Sequence, residues 1–132
     1  MTKESQEQKD VKNLFTELIS AKPEKFPPKR QPLTAPDNRG VYVICDPTGR
    51  VVHVGGTPTG KRGIAQRLEN HLSGSSSFTY VYLKGDGSKL RDGYTFRCLP
   101  VPDARLRAFL EAYAIGHLCP AHIGLHQPVT GG

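Results

Sequence analysis

Apolar positions at the start of the chain recur at helical spacing. Val11, Leu14, Phe15, Leu18 and Ile19 fall at i, i+3, i+4, i+7 and i+8, one stripe of an amphipathic helix over residues 1 to about 21. Ser5 with Gln8 predicts a capping box at its start. The pattern then stops. "KPEKFPPKRQPLTAPDN" carries four prolines from Pro23 to Pro32 and a fifth at Pro36. Proline fixes φ and lacks a backbone donor, so this stretch reads as an extended linker and not as core. From Gly40 the runs become strand-like. "VYVIC" (41–45) and "VVHVG" (51–55) are β-rich, and Asp46-Pro47-Thr48-Gly49 between them suits a type I turn, so the two predict an antiparallel hairpin. Ile64, Leu68 and Leu72 return to a period of four and predict a helix from about Gly60 to Leu72. "SGSSS" (73–77) is a break, "FTYVYL" (78–83) reads as a third strand, and "GDGSKLRDG" reads as a loop. "YTFRCL" (94–99) reads as a further strand or an extended connection. A last helix follows, with Asp103 as its N-cap and Leu106, Phe109, Leu110, Tyr113, Ala114 and Leu118 as its apolar face. Pro120 stops it.

This order predicts the α+β class: a small central antiparallel β-sheet flanked by helices, with an N-terminal helix and a Pro-rich linker. Residues 1–38 form the amphipathic helix and basic arm, and residues 39–132 the domain. At 132 residues and 36% hydrophobic content the chain supports one modest core. No apolar run approaches the ~20 residues that span a bilayer, and "MTKESQEQKD" does not read as a secretory signal. The expectation is a soluble cytoplasmic protein with no membrane partner. Three cysteines without C-x-x-C spacing argue against a disulfide framework or a zinc site, and Cys45 and Cys98 read as small core residues. His117, Cys119, His122 and His126 lie close in sequence but match no zinc-ligand spacing, so they read as incidental.

Charge narrows the class of partner. A formal net charge of +6 favours polyanions, nucleic acid first. Lys22, Lys25, Lys29 and Arg30 make the Pro-rich arm basic; it is either a solvated arm or one that lies along a phosphate backbone. The stretch "VVHVGGTPTGKRG" (51–63) approaches the phosphate-loop pattern through Gly55, Gly60 and Lys61. Arg62 stands where that loop needs a magnesium-binding hydroxyl. The preceding strand belongs to a hairpin, whereas nucleotide-binding loops sit in parallel crossovers. The phosphate-loop reading is therefore set aside.

Another pattern fits the same residues. Gly40-Val41-Tyr42 opens the first strand of the hairpin and His53-Val54-Gly55 closes the second, with ten residues, Val43 to Val52, between them. Arg67 and His71 follow at i and i+4 on one helix face, and Glu111 sits in the last helix, nine residues before Pro120. In these four elements the chain resembles the GIY-YIG endonuclease family, from about Gly40 to Pro120.

The resemblance implies a metal-dependent endonuclease that hydrolyses phosphodiester bonds in DNA, with RNA left open. It implies that Glu111 holds one Mg²⁺ or Mn²⁺ through a hard oxygen ligand and that Tyr42 takes the proton of the attacking water. Arg67 would neutralise charge developing on the phosphate, and His71 would orient Tyr42 or accept its proton. Lys61 and Arg62 would face DNA phosphate. The second tripeptide begins with His53 where the family has tyrosine, and a histidine there would make activity pH-sensitive near neutrality. Gly56 stands where the family often has lysine. The asparagine common after the proline is missing, so its role is unfilled or passes to His122 or Gln127. One site per chain cuts both strands only as a homodimer or in two events. Two other readings remain: a catalytically weakened nucleic-acid-binding protein of the same fold, and a protein-interaction module docked through the N-terminal helix.

Overall fold

The computed structural model describes residues 2–57 and 62–123. Its elements are α1 (Gln6–Ser20), β1 (Glu24–Lys25), β2 (Gly40–Cys45), β3 (Val51–Gly56), α2 (Gly63–Ser73), α3 (Ser77–Val81), a 3₁₀ turn (Gly87–Arg91), β4 (Thr95–Pro100) and α4 (Ala104–Leu118). The four strands form one antiparallel sheet in the order β1-β4-β2-β3. The fold is α+β, with helices on both faces of that sheet.

Strand alternation sorts the core into two layers. Tyr42 and Ile44 of β2 point to one face, where they pack with Ile64 and Leu68 of α2, Phe78 of α3 and Phe96 of β4. Val41, Val43 and Cys45 point to the other, against Phe15 and Leu18 of α1 and Leu110 and Ala114 of α4. The hairpin turns as its residues dictate. The Asp46 carboxylate accepts from the backbone N–H groups of Thr48 and Arg50, and Gly49 adopts φ 92°. The register shifts after Ile44, which pairs with His53 while Cys45 pairs with Val51. This bulge aims the second half of β3.

Helix ends follow their capping signals. The Ser5–Gln8 capping box forms, and Asp103 caps α4 by accepting from Leu106 N–H at 2.9 Å. Val11, Phe15 and Leu18 of the α1 stripe are buried, Leu14 is partly buried, and Ile19 is 43% exposed. α2 begins at Gly63, later than the periodicity suggested, and has no side-chain cap. Its Ile64 and Ala65 N–H groups donate instead to the carbonyls of Asn38 and Pro36, each at 2.9 Å. α4 ends at Leu118, two residues before Pro120.

Two expectations are corrected. "FTYVYL" is not a strand. Ser76 caps Thr79 N–H and starts α3, and Phe78 enters the core while Tyr80 faces outward. Six residues of alternating apolar character do not separate strand from helix, and the serine cap decides it. The Pro-rich arm is not excluded from the core. Phe26 is 3% exposed and packs edge-on against Phe96, Leu33 and Ala35 join the same cluster, and β1 pairs with β4. Arg91 fixes the arm further by donating to the carbonyls of Pro27 and Pro28. Lys22, Lys25, Lys29 and Arg30 stay exposed on it. β1 lies at the opposite edge of the sheet from β3.

Among the described residues no helix is long and apolar enough to cross a membrane.

Candidate active site

β3 is an edge strand, and its second half borders a cavity of about 710 Å³. The segment after Pro120 covers the first half, where Ala121 and His122 N–H groups donate to the carbonyls of Val51 and Val52. The cavity therefore opens over His53 to Gly56. α2 supplies Arg67 to its wall, and α4 supplies Arg107, Glu111 and Ile115, three residues at successive spacings of four.

Two glycines shape the strand side. Tyr42 pairs with Gly55 across the hairpin. A Cβ on Gly55 would collide with the Tyr42 hydroxyl, and one on Gly56 would collide with the Glu111 carboxylate. The bare backbone is what lets a phenol from one side of the sheet and a carboxylate from α4 both reach the same edge. Lysine at position 56 would be incompatible with this placement of Glu111.

Tyr42 and His71 lie behind the cavity wall, 0% and 1% exposed. The Tyr42 hydroxyl is 2.6 Å from His71 Nε2, and His71 Nδ1 is 2.6 Å from Ser76 Oγ. Burial pushes Tyr42 up to about 12, although the Arg67 guanidinium pulls it down. Tyr42 is thus a neutral phenol at neutral pH. Burial pushes His71 down to about 2, helped by the neighbouring His53 and Arg67.

His53 lines the cavity and stacks on Phe78 at 4.6 Å between ring centroids. Burial lowers it to about 3, with His122 and Arg67 adding to the effect. His53 is thus a buried imidazole held below the range in which a histidine titrates near neutrality. His122, which sequence reasoning named only as a substitute for a missing asparagine, is buried beside it at 5.5 Å. Gln127, His126 and Lys61 lie outside the described residues. His117 stacks on Tyr113 and packs against Phe15.

Burial also raises Glu111, while Arg67 lowers it. Among the described residues its carboxylate forms no ion pair within 4 Å, and no group of three or more His, Cys, Asp or Glu residues is placed to hold a metal. A half-buried, unpaired carboxylate at the cavity wall is a hard-oxygen donor that fits Mg²⁺ or Mn²⁺ as one ligand. Phosphate and water would fill the other positions. Arg62 is drawn away from the cavity: its guanidinium forks onto Glu69 at 2.7 and 2.9 Å and reaches Asp37 at 3.9 Å.

Arg107 was not anticipated. It is buried, and Nη1 donates to the carbonyls of Val101 and Pro102 at 2.9 and 3.1 Å. Its position four residues before Glu111 was the available signal.

Among the described residues, the buried side-chain nitrogens without a hydrogen-bond partner are His53 Nδ1, Arg67 Nε and His122 Nε2. His53 and Arg67 line the cavity, and His122 packs beside His53. Compared with known proteins, the chain matches no family model, no curated relative and no solved structure.

Proposed function

We propose that this chain is a divalent-metal-dependent endonuclease of the GIY-YIG type, acting on phosphodiester bonds in DNA. The observation that carries the reading is the convergence of Arg67, His53 and Glu111 on one cavity beside the bare backbone of Gly55 and Gly56. Arg67 lines this cavity and a guanidinium only donates, so it fits an acceptor such as a phosphate oxygen.

The residues divide the work. Arg67 sits against the phosphate and offsets its growing negative charge. Glu111 holds the cation, which when bound supplies Lewis-acid relief of charge on the phosphate. Tyr42 hydrogen-bonds through its hydroxyl to His71 Nε2, which fixes the phenol beside Gly55. Gly55 and Gly56 admit substrate close to the strand backbone. The protein is expected to cut both strands as a homodimer or in two events.

One observation favours a second reading, a nucleic-acid binder of this fold with weakened catalysis: Tyr42 is fully buried and held as a neutral phenol. Incubation of purified protein with supercoiled plasmid separates the two. The endonuclease converts it to nicked or linear forms with Mg²⁺ or Mn²⁺ and not with EDTA. A protein that retards the plasmid in a gel and leaves it supercoiled under all metal and pH conditions is the binder.

A further inference from the structure

We propose that Ser76 and Thr79 are positioning residues that hold His71 in its Nδ1–H tautomer, so that a bare Nε2 faces the Tyr42 hydroxyl. The inference rests on the reading that Tyr42 and His71 serve the site above.

The chain of donors has one fixed end. Thr79 Oγ1 lies 2.5 Å from the carbonyl oxygen of His71. A carbonyl only accepts, so the single Thr79 proton points there. Ser76 Oγ, 3.1 Å from Thr79 Oγ1, must then donate to it. With its one proton committed, Ser76 Oγ is left as an acceptor, and it takes Thr79 N–H at 3.2 Å and His71 Nδ1 at 2.6 Å. Nδ1 therefore carries the proton. His71 is a neutral ring because burial holds it far below its ordinary range, so Nε2 carries none. The contact at 2.6 Å is then Tyr42 O–H donating to Nε2.

The direction matters for the chemistry. With Tyr42 donating to His71, its oxygen lone pairs are left free to accept. In the other tautomer Nε2–H would occupy one of those lone pairs and the phenol proton would turn the other way. The hydrogen bond on one ring nitrogen sets the state of the other. Ser76 and Thr79 are both buried, 8% and 0% exposed, which keeps water from competing for Nδ1.

The test is nitrogen-15 NMR of the histidine side chains in the metal-free, DNA-free protein, with His71 assigned by loss of its signals in His71→Gln. The expected wild-type pattern is a protonated Nδ1 and a bare Nε2. Ser76→Ala, or the near-isosteric Thr79→Val that frees the Ser76 proton to point at Nδ1, shifts His71 toward the Nε2–H form. Thr79→Ser restores the wild-type pattern. In the cleavage assay Ser76→Ala and Thr79→Val lower kcat by about 10- to 100-fold with KM little changed, as loss of a group behind a functional side chain typically does. A protonated Nε2 in the wild type, or an unchanged tautomer in both variants, overturns the proposal. The NMR result stands whether or not the protein cuts DNA. A plasmid left intact beside the expected tautomer removes the nuclease and keeps the chain of hydrogen bonds.

Discussion

Gly56 stands where any Cβ would run into the Glu111 carboxylate. The edge strand and α4 are thus matched at one point, with bare backbone on one side and, on the other, an acid with no ion pair among the described residues.

Alanine at the two glycines separates function from stability. In Gly56→Ala the new methyl meets the end of a flexible side chain, so Glu111 turns aside and the fold persists. Cleavage falls by at least about tenfold while stability changes by about 1 kcal/mol or less. In Gly55→Ala the methyl meets the fully buried Tyr42 ring, which has no room to move. Overpacking of this kind costs about 1–3 kcal/mol. Urea unfolding of both variants checks the contrast, and equal losses at the two positions contradict it.

Arg67 acts through geometry as well as charge. Among the described residues its Nε is buried without a partner, and lysine has no counterpart to that donor. Arg67→Lys therefore behaves like Arg67→Ala, each losing about 10²- to 10³-fold in kcat, the range for removal of a donor to developing charge. Single-turnover cleavage measures it; near-wild-type activity in Arg67→Lys contradicts the role.

Acid weakens the fold through its buried imidazoles. His53 and His71 are lowered to about 3 and about 2, so between those values and their ordinary 6.5 the unfolded chain binds more protons than the folded one. Stability rises with pH across that window and is lost on acidification, by about 1.4 kcal/mol per histidine for each pH unit. Urea midpoints at pH 7.5, 6 and 5 should fall steeply, and His71→Gln should flatten the slope. A flat profile down to pH 5 contradicts neutral burial.

Glu111 has the opposite sign. Burial raises its pKa, so the folded state binds the extra proton and its ionised form is penalised at neutral pH. Stability from this group falls as pH rises through the raised value. Glu111→Gln removes the penalty, so its Tm at pH 7.5 lies above that of the wild type and the gap closes toward acid. A lower Tm for the variant contradicts the unpaired state of this carboxylate.

Local patterns carried much of the architecture in the sequence. The Ser5 and Asp103 caps, the Asp46–Gly49 turn and the i+4 pair Arg67–His71 are written within a few residues of themselves. What failed depends on distant partners. Phe26 looked like part of a solvated arm because the β4 strand that receives it lies some seventy residues on, with Glu24 pairing to Phe96. α3 reads as a strand from its six alternating residues alone, and the Ser76 cap that makes it a helix lies just outside them. The neutrality of His53 follows from Phe78, His71 and His122 closing around it, which spacing does not reveal. Glycines 55 and 56 were legible as glycines, but their reasons, Tyr42 and Glu111, come from another strand and another helix.

The most direct test of the account is plasmid cleavage in Mg²⁺ by wild type, Glu111→Gln and Arg62→Ala side by side. Glu111 lines the cavity, whereas Arg62 is engaged with Glu69 away from it. The account predicts metal-dependent nicking by wild type and by Arg62→Ala to within a few-fold, and loss of at least about 10²-fold in Glu111→Gln. Cleavage that survives in Glu111→Gln, or that is absent from the wild type, contradicts it.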